Sequence, residues 1–122
     1  MKFNSQICTT RSQSERLLAL GLKKETADMT LQTALDVCYT IPFQEAVEYF
    51  ENRHLPPHPT ILPAWSLHRL LYLIPNKYFT DVDFQNVMQR CIFATSTLYN
   101  DLIDLIEALI KTEYFYKEFL EE

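Results

Sequence analysis

The sequence has almost no glycine: Gly21 is the single example in 122 residues. The favoured tight turns of β-hairpins need residues at positive φ, a conformation that glycine adopts at little cost. A hairpin-rich all-β fold is therefore disfavoured. A phosphate-cradling loop of the usual kind needs several glycines close together, so a nucleotide site of that type is excluded as well.

Long apolar runs and paired cysteines are also missing. No uninterrupted apolar stretch approaches the roughly 20 residues that a membrane helix requires, and residues 1–6 contain no signal-peptide core. Cys8, Cys38 and Cys91 stand far apart and are odd in number, which argues against a secreted disulfide framework. We therefore predict three reduced, mostly buried thiols, no membrane association and a cytoplasmic location.

Basic residues are few and scattered. The chain has 11 Lys and Arg against 16 Asp and Glu, a net charge of -5. A nucleic-acid binder usually presents a basic field that displaces counterions from phosphates, so nucleic acid is not expected as a partner. The hydrophobic fraction of 48% is enough for the core of one domain spanning residues 1–122.

Two helices are marked by signals at their ends. Thr10 and Gln13 have the spacing of a capping box, and Gly21 stands where a left-handed residue closes a helix. Ser66 is a good N-cap for a second helix, in which Trp65 would pack on Leu70 as a hydrophobic staple. Pro75 would end that helix, since proline cannot continue it.

Two further helices follow from apolar spacing. Residues 41–52 place large apolar side chains at helical intervals. A longer helix starts at Thr97, because its apolar residues fall in one arc of about 160°. The residues of that arc are Leu98, Tyr99, Leu102, Ile103, Leu105, Ile106, Leu109 and Ile110.

Three stretches are harder to interpret. Residues 27–39 alternate like a strand but also fit a helix, and we favour the strand. Residues 78–95 fit either one helix or two strands, and the pattern alone slightly favours the helix. Residues 52–63 hold four of the six prolines, which predicts a stiff extended connection.

Two stretches, residues 9–29 and residues 62–75, resemble short uncharacterised proteins of bacterial mobile elements and prophages. The first carries Thr9, Thr10, Gln13, Ser14, Arg16, Leu17, Leu18, Leu20, Gly21, Leu22, Thr26, Ala27, Asp28 and Met29. The second carries Leu62, Pro63, Ala64, Trp65, Ser66, Leu67, Leu70, Leu71, Leu73, Ile74 and Pro75. The resemblance implies an α+β fold with strands around 29–37 and 78–95, and it implies no activity. We therefore predict about four helices with a small antiparallel sheet, with an all-α fold as the alternative.

No group of residues has the pattern of a catalytic or metal site. His54 and His58 flank Leu-Pro-Pro, and in extended geometry they lie about 12 Å apart, too far to share one ion. No cysteine has the basic neighbours that activate a thiol. Carboxylates are grouped at Asp81 and Asp83, and again at Asp101, Asp104 and Glu107. The latter three lie on the polar arc of a predicted helix and are interpreted as a solvated face, and neither group shows the cleft that would shift the pKa values of a catalytic pair apart. The sequence therefore predicts no catalytic residue, no metal ligand and no cofactor.

The aromatic C-terminal tail is the one segment with a functional bias. Aromatic residues are enriched at interface hot spots, so the tail predicts either packing on its own domain or a protein interface. The candidate interface residues are Tyr114, Phe115, Tyr116, Phe119 and Leu120. We predict a non-enzymatic protein-binding factor, an inhibitor or adaptor of a phage or mobile element. The alternatives are a structural or self-assembling subunit such as a homodimer, or a small enzyme with a cryptic site around His54, His58, His68 and the three cysteines.

Overall fold

The computed structural model describes residues 6–33, 37–52, 61–78, 85–87, 89 and 95–121. Its helices are α1 (Arg11–Ala19), α2 (Phe43–Asn52), α3 (Leu67–Leu73) and α4 (Thr95–Lys111), and its strands are β1 (Met29–Gln32), β2 (Val37–Tyr39) and β3 (Ile61–Ala64). The predicted α+β fold with helices predominating is confirmed. The all-α alternative is wrong because the alternating residues near 29–39 pair as strands.

The sheet has three antiparallel strands in the order β2-β1-β3. Strand β1 is central, so Met29, Thr30 and Leu31 are all buried. The prediction of strands within 27–39 is confirmed. The strand interpretation of 78–95 is wrong for residues 85–87 and 89, where the backbone is helical, and most of that stretch lies outside the described residues.

The third strand comes instead from the proline-rich connection. Strand β3 pairs with β1 so that Pro63 lies opposite Thr30. A proline donates no hydrogen bond and is tolerated only where a sheet has an edge, which is the position of β3 in this sheet. The extended backbone was predicted, but its pairing with a strand some thirty residues earlier was not. Residues 53–60, with His54 and His58, lie outside the described part of the chain.

Helix α1 has the end structures that its sequence predicts. The Thr10 hydroxyl accepts from the Gln13 amide at 3.3 Å, and the Gln13 side chain accepts from the Thr10 amide at 3.0 Å. At the other end Gly21 has φ +99. The Gly21 amide donates to Leu18 and the Leu22 amide to Leu17, which is the hydrogen-bond pair of a Schellman motif.

Trp65 joins the sheet to the helices. Its indole Nε1 donates to the Thr26 hydroxyl at 3.0 Å, and its backbone exchanges hydrogen bonds with Thr9. The predicted N-cap Ser66 accepts from the Arg69 amide at 3.1 Å, and its own hydroxyl donates to Asp28. Because its polar atoms are satisfied, Trp65 can be completely buried in the main core beside Leu70.

The main core lies between the helices, and a second, smaller one lies against the sheet. The main core is built on the apolar arc of α4 and includes Leu17, Leu22, Leu70, Leu73, Leu98, Tyr99, Leu102, Ile103, Ile106 and Phe115. The smaller core contains Cys8, Met29, Leu31 and Ala64, with Cys38 at its margin. The residues that precede α1 and the strand β2 therefore meet in the smaller core.

Cys8 and Cys38 form a disulfide. The prediction of free thiols is therefore wrong for these two residues, while Cys91 lies outside the described ranges. Two long-range pairings bring the sulfurs together. Thr9 bonds to Trp65, which holds the start of the chain beside β3, and Cys38 lies opposite Leu31 in the sheet. Neither pairing can be read from cysteine spacing.

Candidate protein-binding surface

The C-terminal tail leaves the direction of α4 immediately after the helix ends. Glu113 has φ +64, a left-handed conformation that reverses the chain. The amides of Tyr114 and Phe115 both donate to the Leu109 carbonyl, at 2.9 and 3.2 Å. The tail therefore folds back towards the core instead of extending the helix into solvent.

The tail then pairs with the segment that follows α1. Leu120 forms an isolated antiparallel bridge with Leu22. The Lys23 amide donates to the Phe119 carbonyl at 2.9 Å, and the Glu121 amide donates to the Gly21 carbonyl at 2.7 Å. These two hydrogen bonds define the bridge, and they tie the Phe119 carbonyl and the Glu121 amide of the tail to one short segment of its own domain.

The docking of the tail buries some of the five predicted interface residues and leaves the others exposed. Phe115 is only 4% exposed in the main core, and Phe119 and Leu120 are half-buried against it. Tyr114 and Tyr116 remain 58% and 43% exposed. Three of the five side chains therefore stabilise the domain itself, and only the two tyrosines project from it.

A third exposed tyrosine, from α3, joins them. Tyr72 is 62% exposed, and its ring centroid lies 6.4 Å from that of Phe119, which lies 5.5 Å from that of Tyr116. The Arg69 guanidinium stacks over Tyr72 at 5.3 Å. We call Tyr72, Tyr114, Tyr116, Phe119 and Arg69 the tail surface.

The tail surface is uneven, with a cleft on each side of Phe119. One cleft of about 520 Å³ lies between α3, the 24–26 turn and the tail, and the other, of about 460 Å³, reaches Ile74 and Tyr116. Both are lined by Tyr72, Glu118 and Phe119. The larger one also carries two cations and three carboxylates: Lys23, Arg69, Glu25, Glu118 and Glu121. The surface therefore combines aromatic rings with charges of both signs.

The exposed Tyr114 ring is held in place from the side. Lys77 Nζ lies 5.1 Å from the ring centroid of Tyr78 and 5.8 Å from that of Tyr114, and the two rings are 5.8 Å apart. A cation over two aromatic faces attracts both. The Tyr114 ring therefore has contacts with Tyr78 and Lys77, although more than half of it faces solvent.

Sequence reasoning missed Tyr72 and Arg69 as members of the surface. Leu70 and Leu73 face the core, so Tyr72, between them in sequence, must project outwards on a helix. A large aromatic side chain on the polar side of a predicted helix was the signal that could have identified it. Tyr72 lies near the tail only because the chain reverses at Glu113, and the sequence around Tyr72 gives no sign of this reversal.

Asp104 and Glu107 of α4 are engaged in structural ion pairs. Arg16 of α1 donates to both Asp104 and Glu107, and Lys111 bonds to Glu107. The hydrogen bonds from Arg16 and then Lys111 hold the pKa of Glu107 below its ordinary value. A general acid needs a raised pKa, which is the opposite of the shift at Glu107. Asp104 and Glu107 therefore serve to join α1 to α4.

The other candidate chemical groups do not converge where the chain is described. His68 is exposed on α3, while His54, His58, Cys91, Asp81 and Asp83 lie outside the described residues. Within residues 6–33, 37–52, 61–78 and 95–121, no three His, Cys, Asp or Glu side chains come together as a metal site would require. In the same ranges no helix combines the length and the apolar character needed to cross a bilayer.

Comparison with known proteins gives no relative. No protein-family model matches the chain, and neither a curated protein nor a solved structure matches it significantly. The geometry of the tail surface is therefore the best guide to the function of the protein.

Proposed function

We propose that this protein acts by binding another protein through the tail surface, as an adaptor or an inhibitor. The observation that carries the proposal is a pair of exposed tyrosines, Tyr72 and Tyr116, whose rings both pack on the half-buried Phe119, with Arg69 stacked on Tyr72. Tyrosine and arginine are among the residues enriched in interface hot spots. Phe119 packs on the core of its own domain, whereas the Tyr72 and Tyr116 rings are left largely in solvent, where a partner could cover them.

The tail surface is also ordered before any partner binds. The tail is held by backbone hydrogen bonds to Gly21 and Lys23, and Tyr114 is held by Lys77. A surface that is already ordered loses little conformational entropy when a partner binds. This supports recognition by a preformed surface more than folding of the tail upon binding.

The origin of the protein, the charge of its partner and its location in the cell stay predictions. Origin from a phage or mobile element depends on the resemblance of residues 9–29 and 62–75 alone. The net charge of -5 suits docking on a basic partner. A cytoplasmic location is weakened as a prediction by the Cys8–Cys38 disulfide, because such bonds are typical of oxidising compartments.

Site-specific photo-crosslinking in the native host tests the proposal. A photoreactive phenylalanine analogue at position 116 should give a discrete adduct with one other protein. The same analogue at the exposed Ser12 of α1 should not. Adding Tyr72→Ala should abolish the adduct at 116, because it removes the neighbouring ring.

Three results would contradict this proposal. An adduct at 116 that survives Tyr72→Ala, or no adduct at all, would show that the tail surface is not an interface. An adduct with twice the mass of the chain would replace the separate partner with a homodimer. Sedimentation of the purified protein would then have to show a dimer that Tyr72→Ala dissociates.

A further inference from the structure

The Cys8–Cys38 disulfide joins two parts of the chain that are held very unequally. On one side, Cys8 is followed by Thr9, which is completely buried. The Thr9 amide donates to the Trp65 carbonyl at 2.9 Å, and the Thr9 hydroxyl accepts from the Trp65 amide at 3.0 Å. The hydroxyls of Thr9 and Ser14 share a further hydrogen bond at 2.7 Å. These contacts anchor the Cys8 side of the bond independently of the disulfide.

The Cys38 side has a much weaker support. Cys38 is the middle residue of β2, a three-residue strand at the edge of the sheet, and it lies opposite Leu31 of β1. Val37 is exposed, and Cys38 and Tyr39 are half-buried, so none of the three residues is buried. Besides the pairing with β1, the Tyr39 hydroxyl donates to Gln32 at 2.6 Å. The attachment of β2 to the domain therefore depends strongly on the disulfide.

Helix α2, which follows β2, has supports of its own. It packs on β1, on β3 and on the 24–26 turn, and Lys24 Nζ lies 5.9 Å from the centroid of the Phe43 ring. The hydroxyl of Thr30, a buried residue of the central strand, donates to the Ile41 carbonyl at 2.8 Å. Loss of the disulfide would therefore release β2 as far as Ile41 and leave α2 in place.

The two cysteines also differ in their access to solvent. Cys8 is only 3% exposed and lies in the smaller core with Met29 and Leu31. Cys38 is half-buried at the margin of that core. Because thiol–disulfide exchange begins when a thiolate reaches one of the two sulfurs, an external thiol should attack Cys38, and Cys8 should be the leaving group.

We propose that the Cys8–Cys38 disulfide is an exchange site for a dithiol reductant, which attacks Cys38 and releases β2 from the sheet while the main core stays folded. The edge of β1 that faces β2 would then lose its partner groups. The oxidation state therefore sets whether this side of the sheet is paired or open. The site is separate from the tail surface and does not depend on the function proposed for it.

The exchange balances with one molecule of the dithiol. One of its thiols loses a proton and attacks Cys38 Sγ; a bond forms between these sulfurs, the Cys8–Cys38 bond breaks, and Cys8 Sγ leaves with the electron pair and takes up a proton. The second thiol, also deprotonated, attacks the sulfur of the first and expels Cys38 Sγ, which is protonated in turn. The reductant is oxidised by two electrons to a disulfide, and the Cys8–Cys38 bond is reduced to two thiols.

Partial exchange with reduced glutathione tests which sulfur is attacked. The oxidised full chain is mixed with glutathione, the reaction is stopped with acid, and free thiols are blocked with a maleimide before digestion with trypsin and mass spectrometry. Trypsin places Cys8 and Cys38 in different peptides, 3–11 and 25–53. Glutathione should be found on Cys38, with the maleimide on Cys8. Glutathione found mainly on Cys8, or a bond that dithiothreitol reduces only after urea is added, would overturn the proposal.

Hydrogen exchange of the chain reduced with dithiothreitol tests what reduction releases. The amides of residues 37–41 should exchange about tenfold faster or more than in the oxidised chain, because β2 loses its attachment. The amides of α2 should change far less, and the emission of the buried Trp65 should stay the same. The double variant Cys8→Ser, Cys38→Ser is the matched control, and its exchange at 37–41 should be fast with or without the reductant.

Two outcomes of the hydrogen-exchange experiment would also overturn the proposal. Unchanged exchange at 37–41 would show that the disulfide does not hold β2. Equal acceleration in α2, or a red shift of the Trp65 emission, would show that reduction unfolds the whole domain. Both comparisons use the unmodified sequence in two oxidation states, so they remain decisive if the double variant fails to fold.

Discussion

Reduction of the Cys8–Cys38 disulfide should destabilise the protein substantially. The bond closes a loop with a sequence separation of 30 residues, and in the chain-entropy treatment a loop of that length stabilises the folded state by about 3–4 kcal/mol. For a domain of this size the midpoint of thermal unfolding should fall by about 10–15 °C on reduction. The effect should be large because β2 is a three-residue strand at the edge of the sheet, with little other packing to hold it.

Trp65 provides the assay. It is the only tryptophan in the chain and is completely buried, so its fluorescence reports unfolding directly. Urea titrations of the oxidised and reduced forms compare identical sequences, and mass spectrometry after alkylation should find one reactive thiol before reduction and three after it. Cys38→Ala should unfold at the same urea concentration with and without reductant. Three reactive thiols in the unreduced protein, or coincident curves for its two forms, would refute the reasoning.

Three further substitutions probe the tail, the end of α1 and the α1–α4 ion pair. Phe115→Ala should lower the free energy of unfolding, measured with urea, by about 3–5 kcal/mol because the ring is buried. Tyr114→Ala should lower it by less than about 1 kcal/mol because that ring is exposed. Equal losses of stability would contradict the docking of the tail on its own domain. Gly21→Ala should lower the free energy of unfolding by about 1–2 kcal/mol. The cause is the positive φ alone, because no atom lies within 4 Å of the added Cβ and no clash is expected. Gly21→Asn should lower it less, because asparagine adopts the left-handed conformation more readily. Arg16→Gln should raise the pKa of Glu107 in a carbon-13 NMR titration. Because the pKa of Glu107 is lowered in the folded state, its contribution to stability should be present above the unfolded pKa and lost as the pH falls through the folded pKa. If the NMR titration of Glu107 is the same in Arg16→Gln as in the unmodified protein, the ion pair does not form in solution.

The parts of the fold that the sequence predicts well are those whose signals are local. The capping box of Thr10 and Gln13, the left-handed Gly21 and the N-cap Ser66 each depend on hydrogen bonds over a few residues, and all three are present. The apolar arc of α4 is likewise a property of one segment. Such signals can be evaluated without knowing what else the chain contacts.

The parts that the sequence did not predict depend on distant pairing. Pro63 indicates extended backbone but not the strand opposite it. The separation of Cys8 from Cys38 gives no sign that β2 and the residues before α1 share a core. The aromatic composition of the tail predicts that it is buried. Where it docks is set by the reversal of the chain at Glu113, and glutamate is not a residue type that predicts a turn. The tail surface lies where such long-range pairing brings residues together, so the local pattern could suggest only two of the exposed tyrosines.

The bridge between Leu22 and Leu120 has a consequence for synthesis of the chain on the ribosome. The segment after α1 is made early, but its partner in the tail is made about 100 residues later, roughly 5–20 s at ordinary translation rates. During that interval the Lys23 amide and the Gly21 carbonyl lack the groups that satisfy them in the fold, and the apolar side of α1 lacks α4. Nascent chains should therefore remain incompletely folded, and accessible to chaperones, until residues 119–121 have emerged from the ribosome.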